Sequence, residues 1–421
     1  MGGCIPLSTT SRVRIDGDDD DKDSDADGFD EELTEAEREA REERWNRREV
    51  KDCPDLLQLA RGVLPTAMLQ IHYRSRYREL IGYSNAAFYK GDLNVPARHP
   101  EAEVRRVRPV EVIRADGVYE KRTNAVEAKQ VAYWLAEIWA GPEEPPSIGV
   151  VTFNRDQADL IEEVLETRAA ADPGFLRAYQ RERDRTQNGG FFVKNVENVQ
   201  GDERDVIVFS TTLGRDRHGA FRRSFGVLGQ TGGERRLNVA VTRAREKIVL
   251  ITSMPLGDIS DWLSSGRAPN KPRDYLQAYL DYAARMSSGD LEAARRSAAR
   301  LSPRSPSRRH DAPHANGDGF VAAVEAHLRD LGYEPMPAAE GDAFGLDFAV
   351  EDPRTGLFGI GIECDAPRHG LLQRARAREI WRPNVLRRAI LVVHRVSSYG
   401  WYHRPEDERR QLGAALRVAL G

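Results

Sequence analysis

Three short runs of the chain are almost continuously apolar: SIGVVTF (Ser147–Phe153), DVIVFSTT (Asp205–Thr212) and EKIVLITS (Glu246–Ser253). They are too short for core helices, are rich in β-branched residues, and lack the strict alternation of a strand that is wet on one face. Strands buried on both faces read this way, so the runs predict a parallel sheet covered by helices. Around them, NAVEAKQVAYWLAEIWA (Asn124–Ala140) and RDQADLIEEVLETRA (Arg155–Ala169) repeat apolar residues at helical spacing. From about Asp52 to Pro255 the alternation is that of an α/β domain.

The pattern then changes. From roughly Met286 the chain turns to Ser, Pro, Arg and Gly, as in SPRSPSRRHDAPHANGDG, which is linker composition and marks a domain boundary. A smaller α/β pattern follows, with helices over Phe320–Leu331 and Leu371–Arg388 and strands over Leu346–Val350, Gly356–Cys364 and Ile390–Val396. The expected division is an acidic segment and charged helix over 1–51, a first α/β domain over 52–285, a basic linker over 286–318 and a second domain over 319–421.

Among the 421 residues, 63 are basic and 67 acidic, so net charge names no partner, but its distribution is uneven. DGDDDDKDSDADGFDEE (Asp16–Glu32) is too charged to build a core. Asp23, Asp25, Asp27 and Gly28 imitate the start of a calcium loop, yet Thr34 stands where a bidentate Glu is required, which favours a solvated spacer. Arginines crowd 215–245, 295–310 and 374–388. Cys4, Cys53 and Cys364 have neither disulfide nor zinc spacing, and no apolar run is long enough to span a bilayer. A soluble, cytoplasmic protein with no membrane partner is expected.

Polar groups stand at the ends of the expected strands in HYRSRYRELIGYSNAAFYKGDL (His72–Leu93), VENVQGDERDVIVFS (Val196–Ser210) and LNVAVTRAR (Leu237–Arg245). In the second, Gly201 permits close backbone approach, while Gln200 and Glu203 can orient water or a nucleotide hydroxyl. Arg74 and Arg243 carry planar forks suited to terminal phosphates, and an arginine beside an apolar strand is costly unless an anion meets it. Taken singly, each arginine also reads as an ordinary surface ion pair.

In order and spacing these three stretches resemble superfamily 1 helicases of the group that includes the nonsense-mediated decay helicase. The resemblance covers about Asp52 to Ser253 and implies a second RecA-like domain acting on ATP. It implies that Arg243 is the arginine finger, that Arg74 belongs to the Tyr-Arg motif, and that Gln200, Gly201 and Glu203 line the nucleotide site. Arg245 supports its neighbour or faces nucleic acid. The chain has no G-x-x-x-x-G-K-[ST] stretch, so the phosphate cradle of the first RecA-like domain is expected on a separate P-loop-containing half. The chain is then a fragment of a longer helicase, one half of a split pair, or a degenerate remnant, and is not expected to turn over ATP alone.

In the second domain, Asp347 opens one expected strand, while Glu363 and Asp365 lie two apart on the next, where alternation sends both carboxylates to one face. Converging carboxylates call for a cation, and magnesium or manganese would activate water for strand cleavage. The arrangement resembles the PD-(D/E)xK nucleases, most closely the branch related to the very-short-patch repair endonucleases. That resemblance makes Asp347, Glu363 and Asp365 metal ligands and catalytic residues, and matches Glu325 to an acidic position of the superfamily. The superfamily lysine is absent, Ala366-Pro367-Arg368-His369 departs from the branch pattern, and Arg374-Ala375-Arg376-Ala377-Arg378 lacks its two aspartates. Two readings stand: an ATP-dependent DNA helicase-nuclease portion serving repair or defence, or a non-catalytic DNA-binding accessory protein.

Overall fold

The computed structural model describes residues 71–421 except 73, 96–97, 188, 303–318, 338–344, 366–371, 388–389 and 391, together with Ala60 and Leu64. The acidic segment, its calcium-loop imitation, the charged helix expected within 1–51 and His369 lie outside the described residues. The two sheets described here belong to the unit Gln70–Gly421.

The first domain runs α1 (Glu79–Phe88), α2 (Glu101–Val107), β1 (Val110–Arg114), α3 (Ala125–Trp139), β2 (Ile148–Thr152), α4 (Arg155–Ala171), α5 (Pro173–Arg183), β3 (Phe192–Asn195) and β4 (Arg204–Ser210). It continues with α6 (Gly233–Val241), β5 (Ala244–Thr252), α7 (Leu256–Ile259), α8 (Pro272–Ser288) and α9 (Leu291–Ala299). The strands form one sheet in the order β1-β5-β4-β2-β3, and every pairing is parallel. Alternation sorts the apolar runs between two cores. Val206, Val208, Val249 and Ile251 meet α3, α4 and α5 on one face, while Ile207, Phe209, Ile248 and Leu250 meet the helices of the other. At about 25 cal/mol per Å² of apolar surface, burial on both faces is what stabilises such a sheet.

The helix ends are specified locally. Asn124 and Asn154 cap α3 and α4, their side chains accepting from the backbone N–H of Glu127 and Gln157 at 3.1 and 2.9 Å. One boundary differs from the compositional expectation, because α9 lies within the segment read as linker. Leu291, Ala294, Ala298 and Leu301 are buried at helical spacing in the first domain's core. The Ser and Arg content hid a narrow apolar stripe.

The second domain contains α10 (Gly319–Asp330), β6 (Pro335–Pro337), β7 (Phe348–Asp352), β8 (Leu357–Cys364), a π-helical turn (Ala377–Trp381), α11 (Arg382–Leu386), β9 (Val392–Val396), α12 (Ser398–His403) and α13 (Pro405–Leu420). Its sheet has the order β6-β7-β8-β9, with only the β8–β9 pair parallel. Phe320, Val324, Leu328, Leu412 and Leu416 cover one face, and Val385, Leu386 and Ile390 pack with Ala349 and Phe358. Among the described residues no helix is long and apolar enough to cross a membrane.

Candidate functional site

Arg74, Glu203, Arg243 and Arg245 converge at the amino-terminal edge of the first sheet. The sequence puts these groups at strand ends, and the ligands of open parallel sheets commonly sit at the carboxyl ends. Here Glu203 immediately precedes β4 and Arg243 precedes β5, so the cluster occupies the opposite edge. The backbone there is held on both flanks. The N–H of Arg204 donates to the carbonyl of Arg243 at 3.3 Å, and the N–H of Arg76 donates to that of Arg245 at 2.7 Å. The second bond docks the His72–Arg78 segment against β5.

One carboxylate serves several guanidiniums. Arg74 reaches Oε1 of Glu203 at 2.7 Å, and Arg245 lies 3.8 Å from Oε2 and 3.5 Å from Asp205. Arg243 donates from Nε to the Val239 carbonyl at 2.7 Å, in the last turn of α6. Burial, with the nearby Arg74 charge, pushes the Arg243 pKa down. Lys194 and Asp202 pair with each other at 2.6 Å. Arg74 and Arg245 thus share Glu203, Arg245 also meets Asp205, and Arg243, held on the backbone of α6, adds a further positive charge to an edge that suits an anion. Gln200 and Gly201 are exposed in the turn before β4, where Gly201 has φ +89°, a conformation that favours glycine.

His72 belongs to the same segment. Its Nε2 accepts from the Ser75 N–H at 3.3 Å, and burial with the Arg74 charge lowers its pKa to about 4. His99, packed at a tilt against Tyr77 with ring centroids 4.4 Å apart, is likewise lowered to about 4, chiefly by burial.

The carboxyl edge carries a polar network that the sequence reading did not find. Glu127, fully buried on α3, accepts from Ser210 Oγ, the Thr212 N–H and the Ser253 N–H, each at 2.7 Å. Burial pushes its carboxyl pKa up, and these donors oppose the shift. Gln157 accepts from the Asn124 N–H at 2.7 Å and donates to Ser210 Oγ at 3.1 Å. The network ties the starts of α3 and α4 to the loops after β4 and β5. Its sequence signal was a Glu and a Gln on otherwise apolar helix faces. Beyond it, the loops after β1 and β4 enclose a cavity of about 310 Å³ lined by Tyr119, Lys121, Asp216, Arg217, His218 and Arg222.

In the second domain the three expected metal ligands have protein partners. The Asp347 carboxylate accepts from the Cys364 N–H at 2.6 Å. Glu363 is buried and pairs through Oε1 with Arg382, whose side chain is 1% exposed; Arg395 lies 3.3 Å from Oε2. The strand ends at Cys364, and Asp365 turns away with φ +64°, its Oδ1 accepting from the Ser398 N–H at 2.8 Å. The expectation that alternation carries Glu363 and Asp365 to one face is corrected: the period-2 rule stops where β8 stops. Among the described residues no group of three or more His, Cys, Asp or Glu is arranged to hold a metal ion. Glu325 pairs with Arg329 at 2.7 Å along α10.

Residues 55–255 match the AAA_12 family, described as an AAA domain. Residues 320–416 match the family REase_MTES_1575. The first domain is a helicase-like AAA domain. The second is nuclease-like. An uncharacterized ATP-dependent helicase of Mycoplasma genitalium is 36% identical over 225 residues, which is 53% of this chain and 19% of that protein. Its homolog in Mycoplasma pneumoniae gives the same identity and coverage. The chain therefore spans 19% of the length of these curated relatives. A solved structure, the C-terminal domain of a possible DNA helicase from a Lactobacillus species, is 12% identical, covering 43% of this chain and 88% of its own at a TM-score of 0.24, too slight a likeness to argue from.

In the AAA domain, then, Arg74, Glu203 and Arg243 come together, with Gln200 and Gly201 in the turn at the same edge. In the nuclease-like domain, Asp347 and Glu363 are neighbours by the β7–β8 register, since Phe348 pairs with Ile362, while Asp365, just past the end of β8, has a positive φ and its N–H still donates to the Val396 carbonyl of β9. This carboxylate set, engaged by Arg382, Arg395 and two backbone amides, does not fit a divalent cation as it stands.

Proposed function

We propose that the AAA domain supplies the second half of the ATP site of an ATP-dependent DNA helicase, whose P-loop half is a separate domain. The observation that carries this reading is the excess of guanidinium over carboxylate at the amino edge, with Arg243 anchored on α6. Such a group, fixed before nucleotide arrives, stabilises the charge that develops on a transferred phosphoryl group. Arg74 reaches the same carboxylate and sets the position of Glu203. DNA follows the carboxyl edge, where Lys121, Arg217 and Arg222 line the cavity. The nuclease-like domain enters this reading as a DNA-holding module in DNA processing.

The test is complementation. Mixing the chain with a P-loop-bearing helicase half should produce DNA-stimulated ATP hydrolysis. Arg243→Ala should lower turnover by about a thousandfold with little change in nucleotide affinity, as expected of a group acting in the transition state. Equal losses of affinity and turnover would make Arg243 a ground-state or structural residue instead.

A further inference from the structure

Two buried charges of the nuclease-like domain, Glu363 and Arg382, form the inner end of a chain of ion pairs that runs out to the surface. Arg382 NH1 pairs with Glu363 Oε1, and its NH2 donates to the Gly345 carbonyl at 2.7 Å. Arg395, opposite Glu363 in the parallel β8–β9 register, approaches Oε2 through Nε and NH2, both at 3.3 Å. Its NH1 continues to Glu379 at 3.2 Å, and Glu379 meets Arg378 at 2.7 Å. Arg382 is the first residue after the π-helical turn Ala377–Trp381, a rare irregularity that is frequent at functional sites.

A carboxylate and a backbone carbonyl around a positive centre, with Asp347 two residues beyond that carbonyl, are the groups a hard divalent cation would take. Here a guanidinium takes them. An arginine cannot be deprotonated to escape burial, so its place in the interior depends on Glu363, and that of Glu363 depends on it.

We propose that Arg382 is the resident cation of the Glu363 carboxylate, and that the Asp347–Glu363–Asp365 position takes no divalent metal. The domain is then held by its own arginine, and its contribution to DNA processing does not include metal-assisted cleavage at these carboxylates. This inference involves neither ATP nor the AAA domain, so it stands or falls apart from the helicase reading.

The experiment measures the melting temperature of the full chain in chelator and in excess Mg²⁺ or Mn²⁺, with calorimetric titration of each metal alone. The wild type should melt at the same temperature throughout and show no binding that depends on Glu363. Arg382→Met should lower the melting temperature by about 10 °C, because it removes the buried cation from Oε1 of a buried carboxylate and leaves only the exposed Arg395 at Oε2. The double variant Glu363→Gln with Arg382→Met should recover most of that loss, since neither charge remains. Stoichiometric Mn²⁺ binding by the wild type that Glu363→Gln abolishes would overturn the proposal. So would a double variant as damaged as Arg382→Met, unfolding included, because Arg382 would then act through packing.

Discussion

His72 and His99 show how the surroundings of a single residue govern its response to pH. Both have pKa values near 4 in the folded chain, against about 6.5 when unfolded. Below 6.5 the unfolded chain takes up two protons that the native chain refuses until about pH 4. The sign follows: stability contributed by the neutral imidazoles is present above pH 6.5 and is lost as pH falls toward 4. Urea midpoints measured across that window should decline, and the double substitution to Gln should flatten the decline attributable to the two rings. An unchanged slope in that variant would place the acid sensitivity in other groups. Neither ring is legible as titration-shifted in the sequence, because the burial responsible arises only when the His72–Arg78 segment docks on β5.

At the scale of elements, α3 is joined to β4 and β5 by the carboxylate of Glu127. Glu127→Ala leaves the Thr212 and Ser253 amides and the Ser210 hydroxyl without their acceptor, a cost of about 3 kcal/mol in chemical denaturation. Glu127→Gln should also destabilise the fold, since an amide nitrogen would face a donor. If either variant matched the wild type, the network would be incidental to stability. The strands that carry these groups were readable from their apolar runs, and α3 and α4 from period and caps. The short strands β1 and β3 were not, since VEVIR and FVKN interleave charge with apolar residues. Asp365 illustrates a different limit: its position two after Glu363 is plain in the sequence, but the positive φ that turns it away is set by the packing of β9 and α12.

For the whole molecule, the sequence announced two α/β domains and set Glu203 and Arg243 just before apolar runs, whereas that those two strands lie side by side required the sheet order. Two predictions belong here. The purified chain, which has no P-loop, should bind ATP weakly and show no DNA-stimulated hydrolysis in a coupled assay; robust turnover would refute the half-site reading. DNA affinity should fall steeply with salt, by a log–log slope of about 0.7 per single-strand phosphate engaged, and Lys121→Ala with Arg217→Ala should make that slope shallower. Binding indifferent to salt would exclude phosphate contacts at the cavity. One element reaches both ends of this arrangement. β4 is seven residues long, a rod of roughly 20 Å at about 3.3 Å per residue, with Glu203 just before one tip and Ser210 at the other. From Val206 to Ser210 it is clamped between β2 and β5 and buried on both sides, while its register against β5 shifts between Arg204 and Val206, at the tip nearest the arginines. Strain entering from the arginine cluster therefore meets that irregular tip first, and the rigid stretch beyond it keeps the Glu127 network at a fixed distance from the amino edge.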